Sequence, residues 1–480
     1  KVKMRSLALD LVPMGSDEEN RMADLKVTKT LPEGIESKML YSDIIHIAWP
    51  SLVELTLTQL ASMVDLMMVG QLGPWALTAV GLTTQPKFLL MTMFMALNVG
   101  ATAMVARYKG AGNQKKADEV LRQALLMTFV LGCVFALIGF IAAPWLIKFM
   151  GASEDHVLQG GVDYLRIQMI GLPGLALTST ITATLRGVGN SKTAMIYNAM
   201  ANIINVIFNY MLIYGNFGAP RMEVAGASLA TIIGQYCAMF MAFYAVMNGQ
   251  QYIILRFRDG FKPNKEEIKK IVDIGAPAMV EQVVMRIGLI IYTRTVAGLG
   301  TLPYAVHQVC LNIQSLSFMN GQAFAVSATS LTGQSLGKKR HDMAQAYTTR
   351  TRKLGMCVSI FLGVVFFFFG GQIVALYSGG DQSLVELGAV IMMFVAVVQP
   401  FQSSQLILAG ALRGAGDTKV TAAITFITVL LVRPALAIFA INVLGMGLEG
   451  AWYALVTDQI LRSLLVLLRY NSGAWKRHTM

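Results

Sequence analysis

The chain has 480 residues, of which 55% are hydrophobic and only 14% charged, and its mean hydropathy is +0.56. So much apolar surface exceeds what a soluble core of this length can bury, which excludes an ordinary water-soluble domain and makes lipid the solvent for most of the chain. The formal charge of +12 invites a nucleic-acid reading, but the basic residues fall in alternate loops, which is a signature of membrane topology instead.

Residues 1–40 are polar, mixed in charge and without the long apolar core of a signal peptide, and read as a mobile cytoplasmic tail. Beyond them, runs of about 20 apolar residues, the length that crosses ~30 Å of hydrocarbon, recur at 43–65, 77–106, 119–147, 161–185, 192–215, 224–247, 268–297, 303–335, 346–377, 384–411, 419–443 and 448–470. None shows the alternation of a barrel strand. The reading is an all-α polytopic membrane protein with twelve transmembrane helices. Its lobes are expected at 41–248 and 268–471, with a cytoplasmic linker at 249–267 and a short cytoplasmic tail at 472–480. Loops holding Arg107/Lys109/Lys115/Lys116, Arg256/Arg258/Lys262/Lys265 and Lys338/Lys339/Arg340 alternate with loops almost free of Lys and Arg, so both termini are expected on the cytoplasmic side. Cys133, Cys237, Cys310 and Cys357 stand singly in apolar runs and imply packing, with neither a disulfide nor a zinc site.

The second half repeats the first at an offset of 227 residues. Pro50 falls on Pro277, Glu54 on Glu281, Ala101-Thr102 on Ala328-Thr329, Gly110 on Gly337, Pro173 on Pro400 and Leu185-Arg186-Gly187 on Leu412-Arg413-Gly414. Further on the offset becomes 224, pairing Gly226-Ala227 with Gly450-Ala451. Six spans per repeat is an even number, so the two bundles are parallel and pseudo-symmetric about an axis along the membrane normal, with a cleft expected between them.

The glycine-rich stretches 185–193 and 412–420 lack the spacing of a phosphate-binding loop and read as turns, with Asn190/Ser191 or Asp417/Thr418 capping the next helix and Arg and Lys anchoring the cytoplasmic side. Gly333-Gln334-Ser335-Leu336-Gly337 satisfies the serine-hydrolase elbow, but it ends a membrane helix and only His341 and His478 follow, so no enzyme is expected.

Ionisable residues inside spans cost some 2.5 kcal/mol or more unless paired or hydrated, and so mark function. Glu54, Asp65, Glu281 and Asp458 are the acidic ones, with Lys87, Arg286, Arg294 and Arg433 available as partners. Glu54 and Asp65 share one helix face at depths differing by about 16 Å. Pro50 and Pro277 lie one turn before the two glutamates and are expected to bend their helices. Asn202, Asn205 and Asn209 recur at helical spacing, while Gln85, Gln308 and Asn312 add amides at related places in the two halves. The 30 methionines include Met91, Met93 and Met95, whose soft side chains suit a wall accepting varied apolar ligands.

Trp49-Pro50-Ser51 followed by Val64-Asp65 and Val69-Gly70-Gln71-Leu72-Gly73, Ala305-Val306-His307-Gln308 with Asn312, the two Leu-Arg-Gly motifs, and the run from Asn205 to Gly215 together resemble the multidrug and toxic compound extrusion family. The resemblance covers about Ser42 to Arg469. It implies two bundles around a V-shaped cleft, and export of mostly cationic amphipathic compounds in exchange for inward Na⁺ or H⁺. Asp65 is similar to the family's first-helix coupling carboxylate and Asn205 to its fifth-helix asparagine, so Asp65, Asn205, Asn209 and Glu54 are expected to couple the ion, with Na⁺ a candidate ligand of Asp65 and Asn205. Two departures stand out: Asn209 replaces an aspartate of one branch, and Met285 and Gln402 replace acidic residues of another. The repeat sets Tyr292 opposite Asp65. Residues expected to face substrate are Glu281, Gln85, Gln308, Asn312, Met285, Tyr292 and Gln402.

The expectation is therefore a monomeric secondary antiporter of the cell membrane, surrounded by lipid, with no cofactor beyond the coupling ion and no nucleic-acid partner. A flippase for a lipid-linked precursor is the alternative within the same superfamily, and a non-transporting receptor or scaffold is the alternative from another class.

Overall fold

The computed structural model describes residues 35–152, 154–376 and 381–477. The expected N-terminal tail lies outside them up to residue 34, as does the end of the C-terminal tail with His478.

Among the described residues twelve long helices follow one another: α1 (Ser37–Gly70), α2 (Pro74–Gly110), α3 (Gln114–Phe149), α4 (Asp155–Gly187), α5 (Ser191–Tyr214), α6 (Glu223–Met247), α7 (Lys265–Ala297), α8 (Thr301–Gly337), α9 (His341–Ala375), α10 (Gln382–Gly414), α11 (Thr418–Val443) and α12 (Gly447–Asn471). Several outrun the apolar stretch that predicts them because polar caps extend them past the hydrocarbon. Asn113 accepts from Lys116 N ahead of α3, and Asn190 from Thr193 N ahead of α5. Ten are by themselves long and apolar enough to cross a membrane, and α4 and α8 are the two that are not. These carry rows of buried hydroxyls, Thr178, Thr180, Thr182 and Thr184 on one, Ser327, Ser330 and Thr332 on the other. Thr180 and Thr184 return their protons to carbonyls four residues back, at 3.0 Å each, so the helix satisfies them internally. Neighbours shelter both helices: α4 packs on α2, α3 and α6, and α8 on α9 and α10.

Each set of six helices forms one lobe, and the contacts repeat with the sequence. Thr102 donates to Ala183 O at 3.1 Å, and its counterpart Thr329 to Gly410 O at 2.8 Å. A Cβ on Gly187 or Gly414 would collide with the carbonyl of Thr102 or Thr329, so glycine lets these helices touch backbone to backbone. On the periphery α3 exposes Ile138, Ile141 and Trp145, and α9 exposes Phe361, Phe367 and Phe368, faces suited to lipid.

The lobes meet through α2 with α7 and α8 with α1 and α2. A Cβ on Gly110 would strike Gln334 O, and one on Gly337 would strike Arg107 O, a contact related to the first by the offset of 227 on both sides. Gly100 meets Ile271 O in the same way; at the twin position Ser327 donates to Ile44 O at 3.0 Å. All these approaches lie in the halves of the helices nearest the chain termini. There Arg350 donates to Ser37 at 3.0 Å and Tyr470 to Gln345 O at 3.4 Å, so the start of α1 and the end of α12 share one face of the molecule.

The segment between the lobes is laid against α3. Asp118 accepts from Ile254 N at 2.8 Å, Gln123 donates to Lys262 O at 2.8 Å, and Ile253 and Leu255 are buried.

Pro50 and Pro277, the expected bends, lie inside helices that continue unbroken on both sides. The irregular helix is α11, which contains two π-helical stretches, Phe426–Val432 and Phe439–Val443. A π turn takes in an extra residue, and α11 has 26 residues against 24 in its counterpart α5.

Candidate functional site

In the first lobe α1 and α5 run side by side in a constant register of 144 residues. Asn198 donates to Glu54 at 2.6 Å, Asn202 to Thr58 at 3.2 Å, and Asn209 to Asp65. The asparagine row of α5 thus solvates the polar stripe of α1. Asn205 completes it: with its amide nitrogen toward Asp65 it reaches Oδ1 at 2.8 Å and Oδ2 at 3.1 Å, and its oxygen meets Thr231 Oγ1 of α6 at 3.2 Å. Asn205 and Asn209 are buried, while Asp65 is half-buried at the edge of a cavity of about 600 Å³. The predicted grouping of Asp65, Asn205 and Asn209 is therefore present in space.

The cavity is walled by α1, α2, α4, α5 and α6, with Thr58, Ser62 and Lys87 among its polar groups and Phe88, Met91 and Leu175 among its apolar ones. As arranged, both asparagines direct N–H groups at Asp65, the arrangement that suits a bare carboxylate. A sodium ion there would need oxygen ligands, so the amides would have to turn; Asn209 Oδ1, buried and without a partner, is a ready second oxygen.

Glu54, the fourth residue expected to couple the ion, is only 5% exposed and is held differently. Arg186 at the end of α4 meets it at 2.8 Å. Glu281, expected to face substrate, is only 1% exposed. It is bound by Arg413 at 2.7 Å and lies near Thr421 and Thr425 at 3.3 and 3.4 Å. These are two copies of one ion pair, and they correct two readings. The arginines of the Leu-Arg-Gly motifs point inward to the glutamates and do not anchor the helix ends to the surface. Of the partners expected for the four carboxylates, Lys87, Arg286, Arg294 and Arg433, none pairs with Glu54 or Glu281, whereas Arg433 does pair with Asp458. The signal was available: Arg186 and Arg413 obey the same offset as Glu54 and Glu281. Arg186 and Arg413 both border a second cavity, of about 420 Å³, between the lobes.

The second lobe fills the place that is open in the first. Tyr292, twin of Asp65, is buried and donates to Ala451 O at 2.7 Å, so it does not face a cleft. Arg433 lies over its ring at 5.6 Å, and His307 stands edge-on to both Tyr292 and Trp452. Asp458, fully buried, binds Arg433 Nε at 3.0 Å and Arg462 at 2.7 Å. Its twin at the offset of 224 is Gly234, where a Cβ would lie 2.9 Å from Ala201 O and 3.2 Å from Asn205. A buried charge thus stands where the first lobe has a glycine packed closely against α5. Gln402 is likewise buried, accepting from Gln314 at 3.3 Å. Gln85 and Asn312 are exposed and Gln308 and Met285 half-buried. None of the residues expected to face substrate lines either cavity. Sequence reasoning missed Asn198, Thr231, Tyr164 and Gln168, which are ordinary polar residues until the helices bring the first to Glu54 and the others to the cavity of Asp65 and Lys87.

Fold and site together define a two-lobed polytopic membrane protein with one charged cavity inside its first lobe. The MatE family profile matches residues 50–211 and 277–439, one segment in each repeat. The chain belongs to that family, the multidrug and toxic compound extrusion transporters, as its motifs imply. Among its relatives, the probable multidrug resistance protein NorM of Thermotoga maritima is 27% identical over 439 residues, covering 91% of this chain and 94% of the relative. The uncharacterized transporter YisQ of Bacillus subtilis is 26% identical over 434 residues, covering 90% and 94%. A solved structure described as the outward-facing conformation of a multidrug resistance MATE family transporter of the MOP superfamily matches with a TM-score of 0.85 at 20% identity, over 94% of this chain and all of that one. A MOP superfamily transporter from Pyrococcus furiosus, described as having a binding pocket of reverse polarity that suggests a different function, matches at 0.84 and 21% over 94% of this chain.

Proposed function

We propose that the chain is a secondary antiporter that exports amphipathic organic compounds across the cell membrane in exchange for inward Na⁺ or H⁺, with both termini cytoplasmic. The observation that carries this reading is Asp65: a carboxylate inside the membrane, held by Asn205 and Asn209, at the edge of a cavity large enough for a drug-sized ligand. Charging or neutralising that group changes what the cavity can hold. An ion that prefers one arrangement of α1 and α5 shifts the balance between two conformations of the protein, which is the requirement for coupling. The lobe contacts concentrated at the terminal face support a state closed to the cytoplasm, and the basic loops support that orientation.

Asp65→Asn is expected to abolish ethidium efflux from vesicles under an imposed Na⁺ or proton gradient while leaving the amount of folded protein in the membrane unchanged. Gradient-driven efflux at the wild-type rate would overturn the assignment. Imposing the two gradients separately names the ion.

A further inference from the structure

The first-lobe cavity holds a second charged group besides Asp65. Lys87 lines the same space as Asp65. Its ammonium carries three donors, yet among the described residues it makes one hydrogen bond, to Gln168 Oε1 at 2.9 Å. Gln168 is buried and its own amide nitrogen lacks a partner there, so the pair holds the lysine at the cavity wall with donor capacity unused. The next residue, Phe88, also borders the cavity, and the Arg286 guanidinium of α7 lies 4.5 Å above its ring. An ammonium inside the membrane is costly and persists where it meets a counter-group or a hydrated path.

The repeat shows that these charges belong to this site and not to the common scaffold. The twin of Lys87 is Gln314, that of Arg286 is Gln59, and that of Asp65 is Tyr292. The other intramembrane charges near the cavity, Glu54 and Arg186, neutralise each other. Around the open space there remain one carboxylate and one ammonium, with a guanidinium behind them on the ring of the lining Phe88. A purely cationic ligand would gain Asp65 but would also face two fixed positive charges, and like charges in a low-dielectric space repel strongly.

We propose that the cavity is a dipolar site, in which Asp65 meets the cationic part of the cargo and Lys87, backed by Arg286, receives an anionic part. The preferred cargo is then an amphipath carrying a carboxylate beside its cationic group, and Lys87 is the residue that sets this preference. The inference rests on the export reading, for which it names the substrate class.

The test uses a matched pair of dyes, rhodamine B, which carries both charges, and its ethyl ester, which keeps only the positive one. Binding to the purified full chain is read by fluorescence polarisation, and efflux is read in proteoliposomes. The wild type is expected to bind the acid about tenfold more tightly than the ester, the usual scale of one charge-assisted hydrogen bond. Lys87→Met should lose that preference by weakening the acid and strengthening the ester, and Lys87→Arg should keep it. An unchanged acid-to-ester ratio in Lys87→Met, with the ester still bound, would overturn the proposal. The export reading fails separately: it falls if Asp65→Asn still exports both dyes under a gradient, whatever Lys87 does to the binding ratio.

Discussion

Asp65 and Glu54 lie on the same stripe of α1 and are served by the same row of asparagines, yet they are chemically unlike. Asp65 borders open space and is solvated by amides, which can turn. Glu54 is locked to Arg186, and its twin Glu281 to Arg413. Removing one partner of a buried pair leaves the other charged and unpaired, at a cost of about 3–5 kcal/mol, whereas removing both costs far less. Glu54→Gln and Glu281→Gln should therefore lower the melting temperature of the protein in detergent clearly. Glu54→Gln combined with Arg186→Gln should recover most of the loss. Equal destabilisation by the single and double substitutions would show that the pair is not the source. At this scale the sequence was a good guide to the carboxylates, because a charge inside an apolar run is visible without any structure. It was a poor guide to Arg186, since an arginine beside glycine at a helix end reads as a surface anchor until the helix is seen to turn it inward.

The helices themselves were legible from their apolar runs and caps, including α4 and α8, whose hydroxyls find partners within the helix, as Thr180 and Thr184 do, or on neighbouring helices, as Ser327 and Ser330 do. The interior of α11 was not. Its two π stretches leave no trace in the repeat offset, whose slip from 227 to 224 has the opposite sign to inserted residues and belongs to the loop after α11, residues 444–446 against 215–222 after α5. Yet they govern the second lobe, because they bring Arg433 over Tyr292 and onto Asp458. That aspartate looked like a second acidic site, and the structure surrounds it with two arginines. An aspartate bound in this way serves as a structural counter-charge. Asp458→Asn should reduce thermal stability by several kcal/mol, the scale of a broken buried ion pair, while leaving the dependence of efflux on the driving ion unchanged in the protein that survives. A shift in the half-saturating ion concentration would instead make the second lobe part of the coupling.

For the whole molecule, the repeat predicted two parallel lobes, and it also locates the contact about which they are related. At the crossing of α2 and α8, Gly110 faces Gln334 and Gly337 faces Arg107, each contact the image of the other. No single pattern in the sequence marks this crossing, since the glycines gain meaning only when their partners across the lobe boundary are known. Backbones this close hold the terminal face shut, and a side chain on either glycine has no room to form without separating the lobes there. In an alternating transporter, closure at one face and access at the other are opposite ends of one equilibrium, so a wedge at this crossing should favour the inverse state. Gly110→Val and Gly337→Val should each lengthen the distance between spin labels placed on the terminal ends of α2 and α8. Because the two contacts are symmetric, the shifts should be similar in size. Both variants should slow efflux at saturating substrate without weakening dye binding in the first-lobe cavity, which lies away from the crossing. Unaltered label distances in both variants would mean that these glycines pack the helices without setting which face is closed.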